Sequence, residues 1–316
     1  MRAVTLYNSL LTFQSNVAEP IPKHGEVLVD VTLAGVCETD LQLCKGYMGF
    51  SGIIGHEFVG VARSGRFAGQ RVVGEINCVC QECRWCRQGS GTHCPSRSVL
   101  GILNRDGVFA DVVALPECNL HAVPDSVPND QAVFTEPLAA ALQIIQQVDL
   151  TQKKVVVLGD GRLGMLCAQA VRLMTGSVLV VGKHPEKIAR FQKLGIPIEL
   201  LSDLSREPAF DVVVDCTGSS SGLEVASSIV LPLGTIVLKT TVAGNHSMSL
   251  AKLVIDEVTV IGSRCGPFKK ALVSLEAQAF DLDGLISHRF PIERFADAMQ
   301  TAVDPAAFKV VFDLSK

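Results

Sequence analysis

Residues 153–164 read KKVVVLGDGRLG. Three valines and a leucine without a polar neighbour make a strand with two apolar faces, as in a parallel sheet covered by helices on both sides. Three glycines follow at once: Gly159, Gly161 and Gly164, in G-x-G-x-x-G spacing. Glycines so spaced also make ordinary turns, but here they join a strand to the helical pattern GRLGMLCAQAVRLMTG. In that context the first allows a tight turn and the second lets a pyrophosphate approach the backbone. The third lets helix and strand pack closely. The start of the helix then offers unpaired N–H groups and the positive end of a dipole to phosphate. A carboxylate at Asp160, inside the loop, would repel pyrophosphate and is expected to point to solvent.

Outward from this loop the pattern repeats. SVLVVG is a second strand, PEKIARFQKLG a second helix, and FDVVVDCTG, GTIVLKTT and VTVIGSR are further strands. Strands alternating with helices at this pitch predict βαβ units and a doubly wound α/β domain of the Rossmann type. The cofactor residues are then Gly159, Gly161, Arg162, Leu163 and Gly164 in the loop, with Thr217 and Gly218 after a later strand. The end of the second strand bears on the choice of cofactor. An NAD site usually places Asp or Glu there to hold the ribose hydroxyls. This strand ends VLVVGKHPEK, with Gly182 in the acid's place and Lys183, His184 and Lys187 after it. The reading favours NADP over NAD, the cations pairing with a 2′-phosphate; a solvated helix start rich in lysine is the plainer alternative.

Before about residue 135 the texture differs. EVLVDVTLAGV, FVGVA, QRVVGEI and FADVVAL are short β-branched runs bounded by turn formers, so a β-rich domain is expected. A chain of 316 residues with 48% hydrophobic content suits about two domains with sizeable cores. The formal net charge of −4 includes no basic run, which argues against nucleic-acid binding. No stretch reaches the roughly 18 apolar residues of a membrane span, and MRAVTLYNSL lacks the apolar core of a signal peptide.

Cys80, Cys83, Cys86 and Cys94 lie in CQECRWCRQGSGTHC. The C-x2-C-x2-C-x7-C spacing lets a tight turn aim thiolates at one tetrahedral ion, and predicts a structural zinc in loop 78–94 with Cys78 spare. Four sulfurs leave no open coordination position, so this metal holds a loop and does no chemistry. Of the eleven cysteines at least four are committed to metal, which fits a reducing, cytoplasmic setting. GVCETD (35–40) and GHEF (55–58) add Cys37, His56 and Glu57, and EPL adds Glu136. Each is weak alone; beside a zinc loop and a dinucleotide domain, a thiolate, an imidazole and carboxylates form a candidate catalytic metal site.

The chain resembles the zinc-dependent medium-chain dehydrogenases, the alcohol and polyol dehydrogenase superfamily, nearly end to end. The likeness rests on G-V-C-x-T-D, G-H-E, G-Q-R-V (69–72), the cysteine loop, D-G-V-F-A-D, E-P-L and G-x-G-x-x-G. It is nearest to the sorbitol and threonine dehydrogenase branch, because E-P-L stands where other members carry a cysteine ligand. The resemblance implies a GroES-like catalytic domain over 1–136 and 287–316, with a Rossmann domain over 137–286. It implies two zinc ions per chain, the catalytic one on Cys37 and His56 with Glu57 or Glu136 completing the set. Thr39 would pass the substrate proton and Asp40 would orient the histidine. The family often ends this relay on a histidine, where this chain has Gln42, which cannot titrate. Arg264 in SRCGPF stands near where the polyol branch places an active-site arginine; a structural ion pair is as good a reading.

The implied reaction is hydride transfer between an alcohol or polyol, or its carbonyl counterpart, and a nicotinamide, in a cleft between the domains. A non-redox zinc enzyme such as a lyase or hydratase, or a silent cofactor-binding protein, is the alternative on the same fold. The expected partner is a small molecule, with no nucleic acid and no membrane. A homodimer or homotetramer is expected through LVIDEVTVIGSR (253–264), read as an apolar edge strand.

Overall fold

The computed structural model describes residues 1–241 and 248–315. It divides into two compact units, Met1–Glu136 with Phe268–Lys316, and Pro137–Pro267.

The second unit holds a six-stranded parallel sheet. Its strand order is Ile198–Leu200, Val178–Gly182, Val155–Leu158, Phe210–Asp215, Val230–Leu238 and Thr259–Gly262. The chain starts at Val155–Leu158, builds outward on one side, then returns and builds outward on the other. Parallel sheets of this kind bind ligands at such a switch point, outside the carboxyl ends of the strands. Val155–Leu158 is buried at every residue, as its two apolar faces require. Val156, Leu158, Val213, Ala226, Ile229 and Ile236 belong to one buried cluster between sheet and helix. The segment 253–264 is not one strand. Ala251–Ile255 is helical, supported by an ion pair between Lys252 and Asp256 at 2.5 Å, and Glu257 turns the chain with φ 52°. Only Thr259–Gly262 joins the sheet, at its edge.

The first unit is built on a seven-stranded sheet. Glu26–Gly35 pairs antiparallel with Glu57–Ala62, with Val112–Pro116 and with Lys309–Asp313. The closing residues hold two strands. Ile286–Pro291 precedes the helix Phe295–Ala302 and pairs parallel with Lys309–Asp313. Lys309–Asp313 thus lies inside the sheet, and its Val310, Val311 and Phe312 are fully buried. The boundary between units falls after Pro267 rather than at 286. The helix Phe268–Glu276 buries Phe268, Ala271, Leu272 and Leu275, and the Phe268 ring stacks on His121 of the first unit at 5.7 Å. No described helix is long and apolar enough to cross a membrane.

Candidate metal and dinucleotide sites

The strand Glu26–Gly35 ends where Val36 leads into Cys37, and Cys37 caps the helix Glu38–Cys44. The carboxylate of Asp40 fixes this corner by accepting the Cys37 backbone N–H at 2.8 Å. On the neighbouring strand Glu57–Ala62, Glu57 is the first residue and His56 stands just before it. The sheet therefore brings Cys37, His56 and Glu57 together, with one donor atom from each lying within 4.8 Å of the others. His56 and Glu57 are buried and Cys37 is partly so. Glu136, second residue of the helix Thr135–Leu142, lies outside this set. The Thr39 hydroxyl lies 3.9 Å from the Cys37 sulfur, and Gln42 donates to Glu38 at 2.9 Å.

The electrostatics suit a cation. Burial alone would raise the Cys37 thiol, but its hydrogen bond and charge interaction with His56 outweigh burial and hold it below its ordinary value. Burial likewise opposes protonation of His56, and the Asp40 carboxylate overcomes it, raising His56 well above the ordinary histidine range. Asp40 Oδ1 and His56 Nδ1 stand 3.4 Å apart, and neither atom makes a well-formed hydrogen bond. A thiolate, an imidazole and a carboxylate converging in one corner match the donor set of a zinc site with an open position.

Sequence reasoning missed Lys309. Its ammonium pairs with the Glu57 carboxylate, both side chains being almost wholly buried, and it also reaches the Val36 carbonyl at 3.4 Å. Burial pushes this lysine down to about 8. Gly35 makes room for the pair: a Cβ there would stand 2.5 Å from Glu57 Oε2 and 2.8 Å from Lys309 Cε. A lysine heading the apolar run VVF of the strand KVVFD was the available signal.

The four cysteines of the loop come together as their spacing predicts. Cys83 and Cys86 sulfurs are 3.5 Å apart, Cys94 and Cys80 3.5 Å, and Cys80 and Cys86 4.0 Å. Four thiolates at about 2.3 Å from one tetrahedral ion would stand ~3.8 Å apart, so the cluster fits zinc. Backbone N–H groups of Glu82 and Cys83 hold Cys80 down to about 7, whereas desolvation and the neighbouring thiols push Cys86 up to about 12. Sulfurs this close cannot all ionise without a cation among them. Cys78 stands outside the cluster, buried, with its sulfur 3.7 Å from Asn119 Nδ2.

In the second unit the glycine loop adopts the form its spacing implies. Gly159 has φ 116° and its alpha carbon lies against Cys216: a Cβ would stand 2.7 Å from the Cys216 carbonyl oxygen. A Cβ at Gly164 would stand 2.0 Å from the Gly159 carbonyl oxygen, so helix and strand pack as closely as only glycine permits. Gly161 caps the helix Arg162–Arg172, and nothing within 4 Å would meet a Cβ there, which leaves the approach to the backbone clear. Arg162 and Leu163 open the helix, half-buried. Thr217 and Gly218 follow the strand Phe210–Asp215, and Asp215 Oδ1 accepts from the Thr217 N–H and hydroxyl at 2.9 and 2.8 Å.

Two expectations change here. Asp160 does not face solvent: it is 4% exposed, and its carboxylate accepts from the backbone N–H groups of Lys183 and His184 and from His184 Nδ1. Burial pushes that carboxyl up, but the His184 ring and backbone outweigh it and hold Asp160 below the usual carboxylate range. Lys187 is not an exposed donor either, being 5% exposed, because the turn Pro185–Lys187 folds its side chain inward. Lys183 is exposed and the His184 side chain is 33% exposed.

Comparison with known proteins gives a consistent result. The family described as "Alcohol dehydrogenase GroES-like domain" matches residues 23–125. L-threonine 3-dehydrogenase of Chelativorans sp. (strain BNC1) is 28% identical over 323 residues, which cover 93% of each chain. A zinc-binding dehydrogenase of Sinorhizobium meliloti 1021, solved bound to NADP, has a TM-score of 0.88 at 24% identity, over 99% of this chain and 98% of its own. An alcohol dehydrogenase of Escherichia coli CFT073, solved with NADH, also has a TM-score of 0.88 at 24% identity, over 99% of both chains. At such identities the structural likeness concerns the fold.

Proposed function

We propose that this chain, which belongs to the zinc-type medium-chain alcohol and polyol dehydrogenases, transfers a hydride between an alcohol or polyol, or its carbonyl counterpart, and a nicotinamide cofactor. The observation that carries this reading is the convergence of Cys37, His56 and Glu57 in a buried corner of the GroES-like unit. When bound, zinc supplies Lewis acidity at the substrate oxygen and the nicotinamide takes or returns the hydride. Cys37 and His56 would hold the metal, with Glu57 the carboxylate of the convergent set. Asp40 faces the other ring nitrogen of His56 and fixes the ring's orientation. The Thr39 hydroxyl, beside the Cys37 sulfur, takes the substrate proton outward. Gln42, bound to Glu38, cannot carry that proton further, so the relay passes to water after Thr39. Glu136 is assigned a supporting role, since it lies outside the convergent set.

Two zinc ions per chain follow from this reading, one on the donor set above and one on the four-cysteine loop. NADP is the favoured cofactor: Gly182 offers no carboxylate to the ribose, while Lys183 presents an ammonium and His184 an imidazole at the end of the strand. Self-association is assigned to the edge strand Thr259–Gly262, where Val260 is 40% exposed and one row of backbone groups has no strand partner in the sheet among the described residues. Sedimentation showing a concentration-independent monomer would remove that assignment.

The test is a panel of alcohols, polyols and aldehydes with NAD and with NADP, read as absorbance of the reduced cofactor. Turnover of a substrate with no change in that absorbance would favour the lyase or hydratase alternative.

A further inference from the structure

We propose that Asp160 is the positioning residue of the 2′-phosphate subsite: from within the glycine loop it holds His184 and the turn after Gly182 in the arrangement that meets the phosphate. This rests on the NADP reading above and names the residue that would make that choice work.

The geometry has three parts. First, Asp160 and Gly182 share one volume. A Cβ on Gly182 would stand 2.3 Å from Asp160 Oδ2 and 2.6 Å from Asp160 Cβ. The space beside the strand end, where a ribose-reading acid would begin, is thus already filled by a carboxylate reaching across from the loop. Second, that carboxylate is spent inward. Oδ2 accepts the N–H of Lys183 at 2.9 Å and of His184 at 2.8 Å, and Oδ1 meets His184 Nδ1 at 2.8 Å. Its side chain is 6% exposed, so it is not placed to receive the ribose hydroxyls. Third, a carboxylate against Nδ1 engages the Nδ1 proton, which leaves Nε2 turned away from Asp160; in the imidazolium form Nε2–H is the donor that a phosphate oxygen can accept. The side chain is one-third exposed.

An acid close to a phosphate would ordinarily repel it. Here the negative charge is buried, satisfied by three N–H donors, and offset by His184 when the ring is protonated and by the neighbouring Lys187. What reaches the surface is the imidazole edge and the Lys183 ammonium. The side chain that most obviously opposes NADP is therefore the one that orders the groups favouring it.

The test uses two probes that differ only in the 2′-phosphate, 2′,5′-ADP and 5′-AMP, titrated calorimetrically into the purified zinc-loaded protein without any turnover. Wild type is expected to bind 2′,5′-ADP about ten-fold or more tightly than 5′-AMP, the worth of one charge-assisted hydrogen bond at 1.4 kcal/mol per factor of ten. Asp160→Ala and His184→Ala should each bring that ratio close to one. The double variant should lose no more than either single one, since Asp160 acts through His184. Asp160→Asn keeps the volume and one acceptor and should fall between. If Asp160→Ala leaves the ratio intact, raises it, or weakens both probes equally, the proposal is overturned. A wild type that does not distinguish the probes would overturn the NADP reading itself, a result separable from failure of Asp160 alone.

Discussion

Lys309 and Glu57 form a buried ion pair across adjoining parts of one sheet, with 3% and 2% of their side chains exposed. The two residues are 252 positions apart in the chain. The carboxylate that converges with the donor atoms of Cys37 and His56 is thereby held by a fixed cation. Burying both charges costs solvation, and their mutual attraction offsets that cost only while both are present.

Removing one partner should therefore be severe. Lys309→Met is expected to lower the stability of zinc-free protein by ~3–5 kcal/mol, because it leaves the Glu57 charge buried and unpaired. Glu57→Gln with Lys309→Met should recover much of the loss. Gly35→Ala should reproduce part of it, since its Cβ would enter the space of the pair. Urea unfolding followed by tryptophan fluorescence and circular dichroism measures all of these; a Lys309→Met loss below 1 kcal/mol would contradict the assignment.

The two metal sites should separate by phenotype. Cys37→Ala is expected to remove one zinc and abolish turnover while leaving the thermal midpoint of unfolding close to wild type. Cys86→Ala should remove the other zinc and lower the midpoint or cause aggregation, because the loop loses its cross-link. Metal analysis with thermal scans decides the matter, and identical behaviour of the two variants would refute the division of roles.

Thr39→Val keeps the shape and deletes the hydroxyl. A fall in kcat of roughly 10²-fold is expected if that hydroxyl carries the proton. The cofactor KM should hold steady, since Thr39 belongs to the first unit. A near-normal kcat would instead mean direct exchange with water.

Gly182→Asp is the natural exchange for converting an NADP site to NAD. Here it should fail, because the new Cβ meets both the Cβ and the carboxylate of Asp160. The expected result is a lower thermal midpoint and a raised KM for both cofactors. A clean reversal of preference would show that Asp160 yields without cost.

Much of this architecture could be read from the chain because it rests on local pattern. The valine run 155–158 and the three glycines determine a strand, a turn and a helix within a dozen residues, and the four cysteines carry their geometry in their spacing. Cys37, His56 and Glu57 were legible as donors through the motifs that hold them. What escaped was set by residues distant in sequence. Asp160 reads as an anion in a phosphate loop until Lys183 and His184 are folded against it. Lys309 reads as the polar start of an edge-like strand until Glu26–Gly35 and Ile286–Pro291 enclose it. The segment 253–264 misled because its apolar residues suit either periodicity, and the pair Lys252–Asp256 with the turn at Glu257 favoured a helix first.

The placement of Lys309–Asp313 inside the sheet also governs the order in which the protein can be assembled during synthesis. Glu57 and its strand leave the ribosome early, and the whole of Pro137–Pro267 is made before the strand that supplies Lys309. Until then the nascent first unit has an open seam beside Glu26–Gly35 and a carboxylate without its counterion. Unpaired strand edges of this kind are where growing chains mispair. The parallel-sheet unit, contiguous in the chain, can fold while that seam waits. Ribosome stalling or premature termination before residue 309 should therefore yield a chain with an ordered second unit and an aggregation-prone first one.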